Sequence, residues 1–135
     1  LWRSSMLYHG KPSPVDMTAA LAYSGETQIE LIYQHNDAPS IYTEFLRGGR
    51  TGVQHLGVMT ESVDRDLERL SSQGVEAAQS GRTAWGARFA YLATDHDPGG
   101  MIELIEHGEV IDDAFRQIRD ASRSWDGRTR TARFS

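Results

Sequence analysis

The 135-residue sequence contains no cysteine. Disulfide staples, thiolate nucleophiles and Cys-ligated zinc are therefore excluded, and a reducing, cytoplasmic setting fits. Positive charge is not in excess either: 14 basic against 19 acidic residues give a net charge of −5. No broad field attracts nucleic acid or an anionic membrane surface, so neither is expected as a partner. No apolar run approaches the ~20 residues needed to span a bilayer, and no segment has the form of a signal peptide. Apolar material is not scarce, however, and 39% hydrophobic residues suffice for the core of one soluble globular domain or two very small ones.

What is present is repeated. Gln28-Ile29-Glu30-Leu31-Ile32-Tyr33-Gln34-His35 returns as Met101-Ile102-Glu103-Leu104-Ile105-Glu106-His107, with the shared Ile-Glu-Leu-Ile 73 residues apart. Each copy follows a matching run, Ala19 to Gly25 in the first and Phe89 to Thr94 in the second. Period-two alternation directs Glu30 and Glu103 to one face of their strands while Ile and Leu line the other. A Glu on the wet face of a surface strand is the plain alternative. Repetition weighs against it, because a buried unpaired carboxylate costs several kcal/mol or more and such a Glu is paired, protonated or metal-bound. The repeat length reads as duplication of one α+β module.

In chain order, residues 4–9 suggest a strand, 11–14 a loop, and Val15 to Tyr23 and Thr27 to Gln34 a hairpin around Ser24-Gly25-Glu26. Together these three strands predict one antiparallel sheet. Asp37 or Ser40 caps a short amphipathic helix from Ile41 to Leu46. Arg47 to Gly52 reads as a linker. Then come a strand from Val53 to Met59, a helix capped by Ser62 with Val63, Leu67 and Leu70 on one stripe, and strands at Val75 to Gln79 and Ala87 to Thr94 joined by a Ser80-Gly81-Arg82 turn. The Glu103 strand follows. A final amphipathic helix carries Ile111, Phe115, Ile118 and Trp125, whose shared stripe predicts that both rings pack against protein. The expected divisions are 1–46, a partial first βαβββ module; 47–52, linker; 53–107, a second βαβββ module; 108–127, helix; and 128–135, a polar tail.

His55 lies on the opening strand of the second module, with the small Gly57 on its own face leaving room for something to approach. A strand His is often structural. Beside carboxylates on neighbouring strands, it suits a divalent metal, Zn, Mn, Fe, Co or Ni, with positions left for water or substrate.

This pattern resembles the vicinal oxygen chelate superfamily, which includes glyoxalase I, bleomycin-resistance proteins, methylmalonyl-CoA epimerase and extradiol dioxygenases. The resemblance covers residues 5–107. Val53-Gln54-His55-Leu56-Gly57-Val58 is similar to the His-bearing first strand of a module, Gly99-Gly100-Met101-Ile102-Glu103-Leu104 to the Glu-bearing last strand, and Gln28-Ile29-Glu30-Leu31 to the last strand of the other module. It implies paired βαβββ modules forming a cupped mixed sheet, a homodimer, and a metal held by His55, Glu103 and Glu30. The implied chemistry is that of an isomerase, epimerase or lyase. The metal binds two neighbouring oxygens of a small carbonyl or thioester substrate and stabilises the enolate formed when a carboxylate takes the adjacent proton. Glu30 is the candidate for ligand or base. Trp85, Phe89 and Tyr91 are candidate walls of the substrate pocket, and Arg88 and His96 candidate polar contacts to substrate.

Two other classes remain open on these residues: a small-molecule-binding module of the same fold without chemistry, and an Fe(II) extradiol dioxygenase needing a second His. The first module lacks its opening strand and helix when the 73-residue offset is applied. The duplication therefore predicts about 40 further residues before Leu1, carrying a His or similar ligand on a strand and covering Ile29, Leu31 and Tyr33.

Overall fold

A computed structural model describes residues 6–94 and 100–129. Its elements run β1 (Met6–Tyr8), β2 (Lys11–Ser13), β3 (Met17–Ser24), β4 (Thr27–Gln34), α1 (Ile41–Arg47), β5 (His55–Thr60), α2 (Val63–Ser71), β6 (Ala77–Arg82), β7 (Arg88–Leu92), β8 (Met101–Glu106) and α3 (Glu109–Arg123). Six strands form one sheet in the order β2-β1-β6-β7-β8-β5, and β3 and β4 form a separate pair. The large sheet is mixed, since β5 runs parallel to β8 while the other ladders are antiparallel. The class is α+β, as expected, and no helix among the described residues is long and apolar enough to cross a membrane.

The duplication is visible where its copies meet. β1 joins β6 with Leu7 opposite Ser80, and these two are each other's equivalents at the 73-residue offset. An antiparallel ladder that sets a residue against its own repeat mate has a local twofold axis between them. The sequence reading of one three-stranded sheet is corrected here: β1 leaves β3 and β4 to pair across the modules. The expected loop at 11–14 is also part strand. A hairpin with His9 at φ 47° and Gly10 at φ 76° folds β2 back onto β1, the positive-φ pair that matches strand twist. Ser80-Gly81-Arg82 belongs to β6 rather than to a turn, because all three residues pair with β7; Gly81 lies close under the ring of Phe89, where a Cβ would come within 3.1 Å of it.

Two apolar layers flank the sheet. On one face Val63, Leu67 and Leu70 of α2 pack onto Ala90, Leu92, Ile102 and Leu104, as the helical stripe requires. On the other, Met6, Val15, Ile41, Tyr42, Phe89, Tyr91 and Met101 form the inner core, so α1 plugs the concave side. Ser40, not Asp37, caps α1, accepting from the amides of Tyr42 and Thr43 and donating to Gln34 Oε1 at 2.6 Å. This ties the end of β4 to the helix. Ile29, Leu31 and Tyr33 on the outer side of β4 are exposed, whereas Leu104, at the repeat position of Leu31, is buried beneath α2.

α3 lies along the β3–β4 pair, with Ser122 Oγ accepting from the Tyr23 amide at 3.0 Å and Arg119 and Arg123 both paired with Glu26. The expectation for its two rings divides. Phe115 is half-buried and edge-on to Trp85, but Trp125 falls beyond the helix end and is 63% exposed. Ile111 is 1% exposed and its neighbour Val110 is 60% exposed. Ile111→Ala is expected to lower unfolding free energy by about 2–5 kcal/mol in urea titrations, with Val110→Ala within about 0.5 kcal/mol of the parent. Equal effects would contradict this seating of α3.

Candidate metal centre

Strand alternation decides what meets in the hollow. On β4, Gln28, Glu30, Ile32 and Gln34 point inward and the residues between them outward. On the large sheet, Gly57 of β5 and Tyr91 of β7 are both in register with Glu103 of β8, and His55 pairs with Met101. Paired residues share a face, so His55, Gly57, Glu103 and Tyr91 all face the side on which α1 and β4 sit.

The three acid and imidazole groups converge. His55 Nε2 lies 3.2 Å from Glu30 Oε2 and 3.4 Å from Glu103 Oε2, and one donor atom from each residue lies within 4.8 Å of the others. Donors about 2.1 Å from a common ion in tetrahedral geometry are roughly 3.4 Å apart, so both His–carboxylate separations suit shared coordination. The imidazole is already oriented for this. Its Nδ1 is 2.8 Å from Gln54 Oε1, a contact that fixes the ring with Nε2 toward the carboxylates, so that loss of the Nε2 proton would free a lone pair for an ion. Gly57 keeps the approach open: a Cβ there would lie 3.7 Å from Glu103 Oε2 and 3.3 Å from Ile105 Cδ1.

The electrostatics favour a cation. Burial pushes the Glu103 carboxyl up to about 7; the His55 charge opposes that rise, the Glu30 charge adds to it, and hydrogen bonding with the Tyr91 hydroxyl opposes it. At His55, burial disfavours the charged ring. The hydrogen bond with Glu30 and the charges of Glu103 and Glu30 outweigh it, and the pKa is raised above the usual imidazole value. Two carboxylates thus share one imidazole in a poorly solvated hollow, and the set is short of positive charge.

The remaining expected site residues divide by face. Phe89 and Tyr91 face the same side as the cluster but are buried in the core there, their rings 5.8 Å apart, with Tyr91 edge-on to His55 at 5.0 Å. Arg88 is not brought there. It projects from the opposite face of β7 and pairs with Asp64 of α2 at 2.8 Å. Trp85 stands in the β6–β7 turn against Phe115, and His96 lies outside the described residues. His55 opens β5 instead of standing mid-strand, since Val53 and Gln54 precede the ladder. Sequence reasoning missed Gln54 and Tyr42. Gln54 adjoins the His and carries a side-chain amide, a weak signal, whereas nothing local marks Tyr42.

The family model of the glyoxalase/bleomycin resistance protein/dioxygenase superfamily matches residues 3–91, a span that holds Glu30, His55 and Tyr91 and ends before Glu103. No curated protein matches the chain. The solved methylmalonyl-CoA epimerase from Mycobacterium tuberculosis is similar at 25% identity and TM-score 0.57, over 72% of this chain and 67% of that one. A hypothetical protein from Bacillus halodurans is similar at 23% identity and TM-score 0.57, over 69% and 68% of the two chains. A methylmalonyl-CoA epimerase in complex with methylmalonyl-CoA and NH4+ is similar at 22% identity and TM-score 0.51, over 73% and 70%. The last two likenesses speak to the fold alone.

Raised pKa values at Glu103 and His55 mean that the folded state holds protons the unfolded chain has released. Their stabilising contribution is complete below the ordinary carboxylate range and is lost as pH rises through about 7 and beyond. In chelator, Glu103→Gln is expected to be more stable than the parent at pH 8 by on the order of 2 kcal/mol, and close to it at about pH 5, in urea unfolding. A Gln variant less stable at pH 8 would contradict the crowding of charge in the hollow.

Proposed function

The chain belongs to the glyoxalase/bleomycin resistance protein/dioxygenase superfamily, and from that premise we propose that it is a divalent-metal-dependent isomerase or epimerase of the vicinal oxygen chelate type. The substrate class is a small carbonyl or thioester compound with a second oxygen beside an acidic C–H. The observation that carries this reading is the meeting of Glu30, His55 and Glu103, from three strands, within 4.8 Å. One imidazole and two carboxylates suit Zn, Mn, Fe, Co or Ni. Similarity to the epimerase from Mycobacterium tuberculosis at 25% identity supports an acyl thioester as the substrate. A bound ion would supply Lewis-acid polarisation of the substrate oxygens.

The chain's own residues do the rest. Glu103, with its side chain 10% exposed, and His55, at 12%, are the fixed side of the set, whereas Glu30 is 26% exposed and is the carboxylate that substrate meets. Glu30 takes the proton from the carbon beside the carbonyl, and the C–H electron pair moves toward the carbonyl oxygen. Return of that proton from Glu30 to a neighbouring atom isomerises the substrate, whereas inversion takes a proton from water on the other face of the carbon, and Glu30 then releases the one it took to solvent. Phe89 and Tyr91 keep water from the inner wall, which strengthens every charge interaction in the hollow.

The purified protein is expected to carry a stoichiometric divalent ion by elemental analysis. It is also expected to exchange the acidic C–H of methylmalonyl-CoA or a related thioester for deuterium in heavy water. Glu30→Gln should slow that exchange by about 10²–10⁴-fold. Exchange at the parental rate by the Gln variant, or by metal-stripped protein, would overturn the assignment.

A further inference from the structure

Behind the three-residue cluster lies a buried pair of tyrosines that the proton transfer does not use. Tyr91 of β7 is 2% exposed and Tyr42 of α1 is 7% exposed, and the Tyr42 hydroxyl donates to the Tyr91 hydroxyl at 2.9 Å. Packing alone does not call for either oxygen, since phenylalanine would fill the same volume without burying a polar group. A phenol has one proton to give. With Tyr42's spent on Tyr91, the Tyr91 proton needs its own acceptor, and Glu103 stands directly opposite in the β7–β8 register. The same Tyr91 ring meets the His55 imidazole edge-on, 5.0 Å between centroids and 84° between planes, so one residue adjoins two of the three cluster members, His55 through its ring and Glu103 through the strand register.

The far end of the chain is also fixed. Gln79 is 1% exposed, and its Oε1 accepts from the Ile41 amide at 3.1 Å. With the Ser40 cap, this holds the first turn of α1, and hence Tyr42, against the sheet.

We propose that Tyr91, held in place by Tyr42, is the positioning residue that orients the Glu103 carboxylate and the His55 ring for cation binding. This rests on the metal reading above. Outer partners of this kind contribute about 10–100-fold to metal affinity, by limiting the orientations the ligands sample before the ion arrives.

The test uses Co2+ as probe, with affinity from calorimetry and ligand geometry from the visible absorption of the bound ion. Tyr91→Phe is expected to weaken Co2+ binding about 10–100-fold and to alter the band shape. Tyr42→Phe should move both readouts in the same direction but less, and the double variant should be no worse than Tyr91→Phe alone, because the two act in series. Should Tyr91→Phe fail to fold, the Tyr42→Phe affinity and spectrum decide the matter by the same criteria. Parental affinity and spectrum in the tyrosine variants, with Co2+ bound by the parent, would overturn the positioning role and leave the metal reading intact. Absence of Co2+ binding by the parent would overturn both.

Discussion

Everything about the concave side of this molecule follows from the placement of Glu103. Its side chain is 10% exposed, faces a second carboxylate across the hollow and has one imidazole to share with it. A chain selected only for stability would put an apolar side chain there, because desolvating a carboxylate costs several kcal/mol that one shared His recovers incompletely. The pKa near 7 is the signature of that imbalance. A divalent cation bound among the three residues would resolve it in one step, supplying the charge that the protein withholds.

The duplicated sheet is what makes the arrangement reproducible. A local twofold at Leu7 and Ser80 sets β4 and β8 on opposite sides of one hollow, so a Glu repeated in sequence becomes a pair of facing carboxylates in space. β5 then adds His55 in parallel beside β8. α1 closes the base, and its Tyr42 ties the plug to Tyr91 and so to the cluster. α2 works on the other face of the sheet, where Val63, Leu67 and Leu70 take the apolar side that strand alternation turns away from the site. Fold stability and site geometry therefore draw on opposite faces of the same strands.

Legibility in the sequence tracked how local each signal is. The α+β class, most strand positions and the shared inward face of Glu30 and Glu103 came from period-two alternation and from the repeat, which need no knowledge of long-range contacts. Assignment of β1 to a sheet failed because the competing partners, β3 and β6, differ in tertiary position and not in pattern. Arg88 is a different case: alternation along Arg88-Phe89-Ala90-Tyr91 already places it opposite the two aromatics, and its pairing with Asp64 follows from that. Trp125 shared a helical stripe with Ile118, but α3 stops at Arg123 and the periodicity lapses with it. Tyr42 was beyond reach, since its role depends on α1 folding back into the hollow.

The most direct test of the account is a crystal structure of the protein grown with Zn2+ or Co2+, with data collected on both sides of the metal's absorption edge. An anomalous peak about 2.0–2.2 Å from His55 Nε2 and from one oxygen each of Glu30 and Glu103 is the predicted result. Full-occupancy metal elsewhere on the chain, with those three side chains paired only to one another, would contradict it.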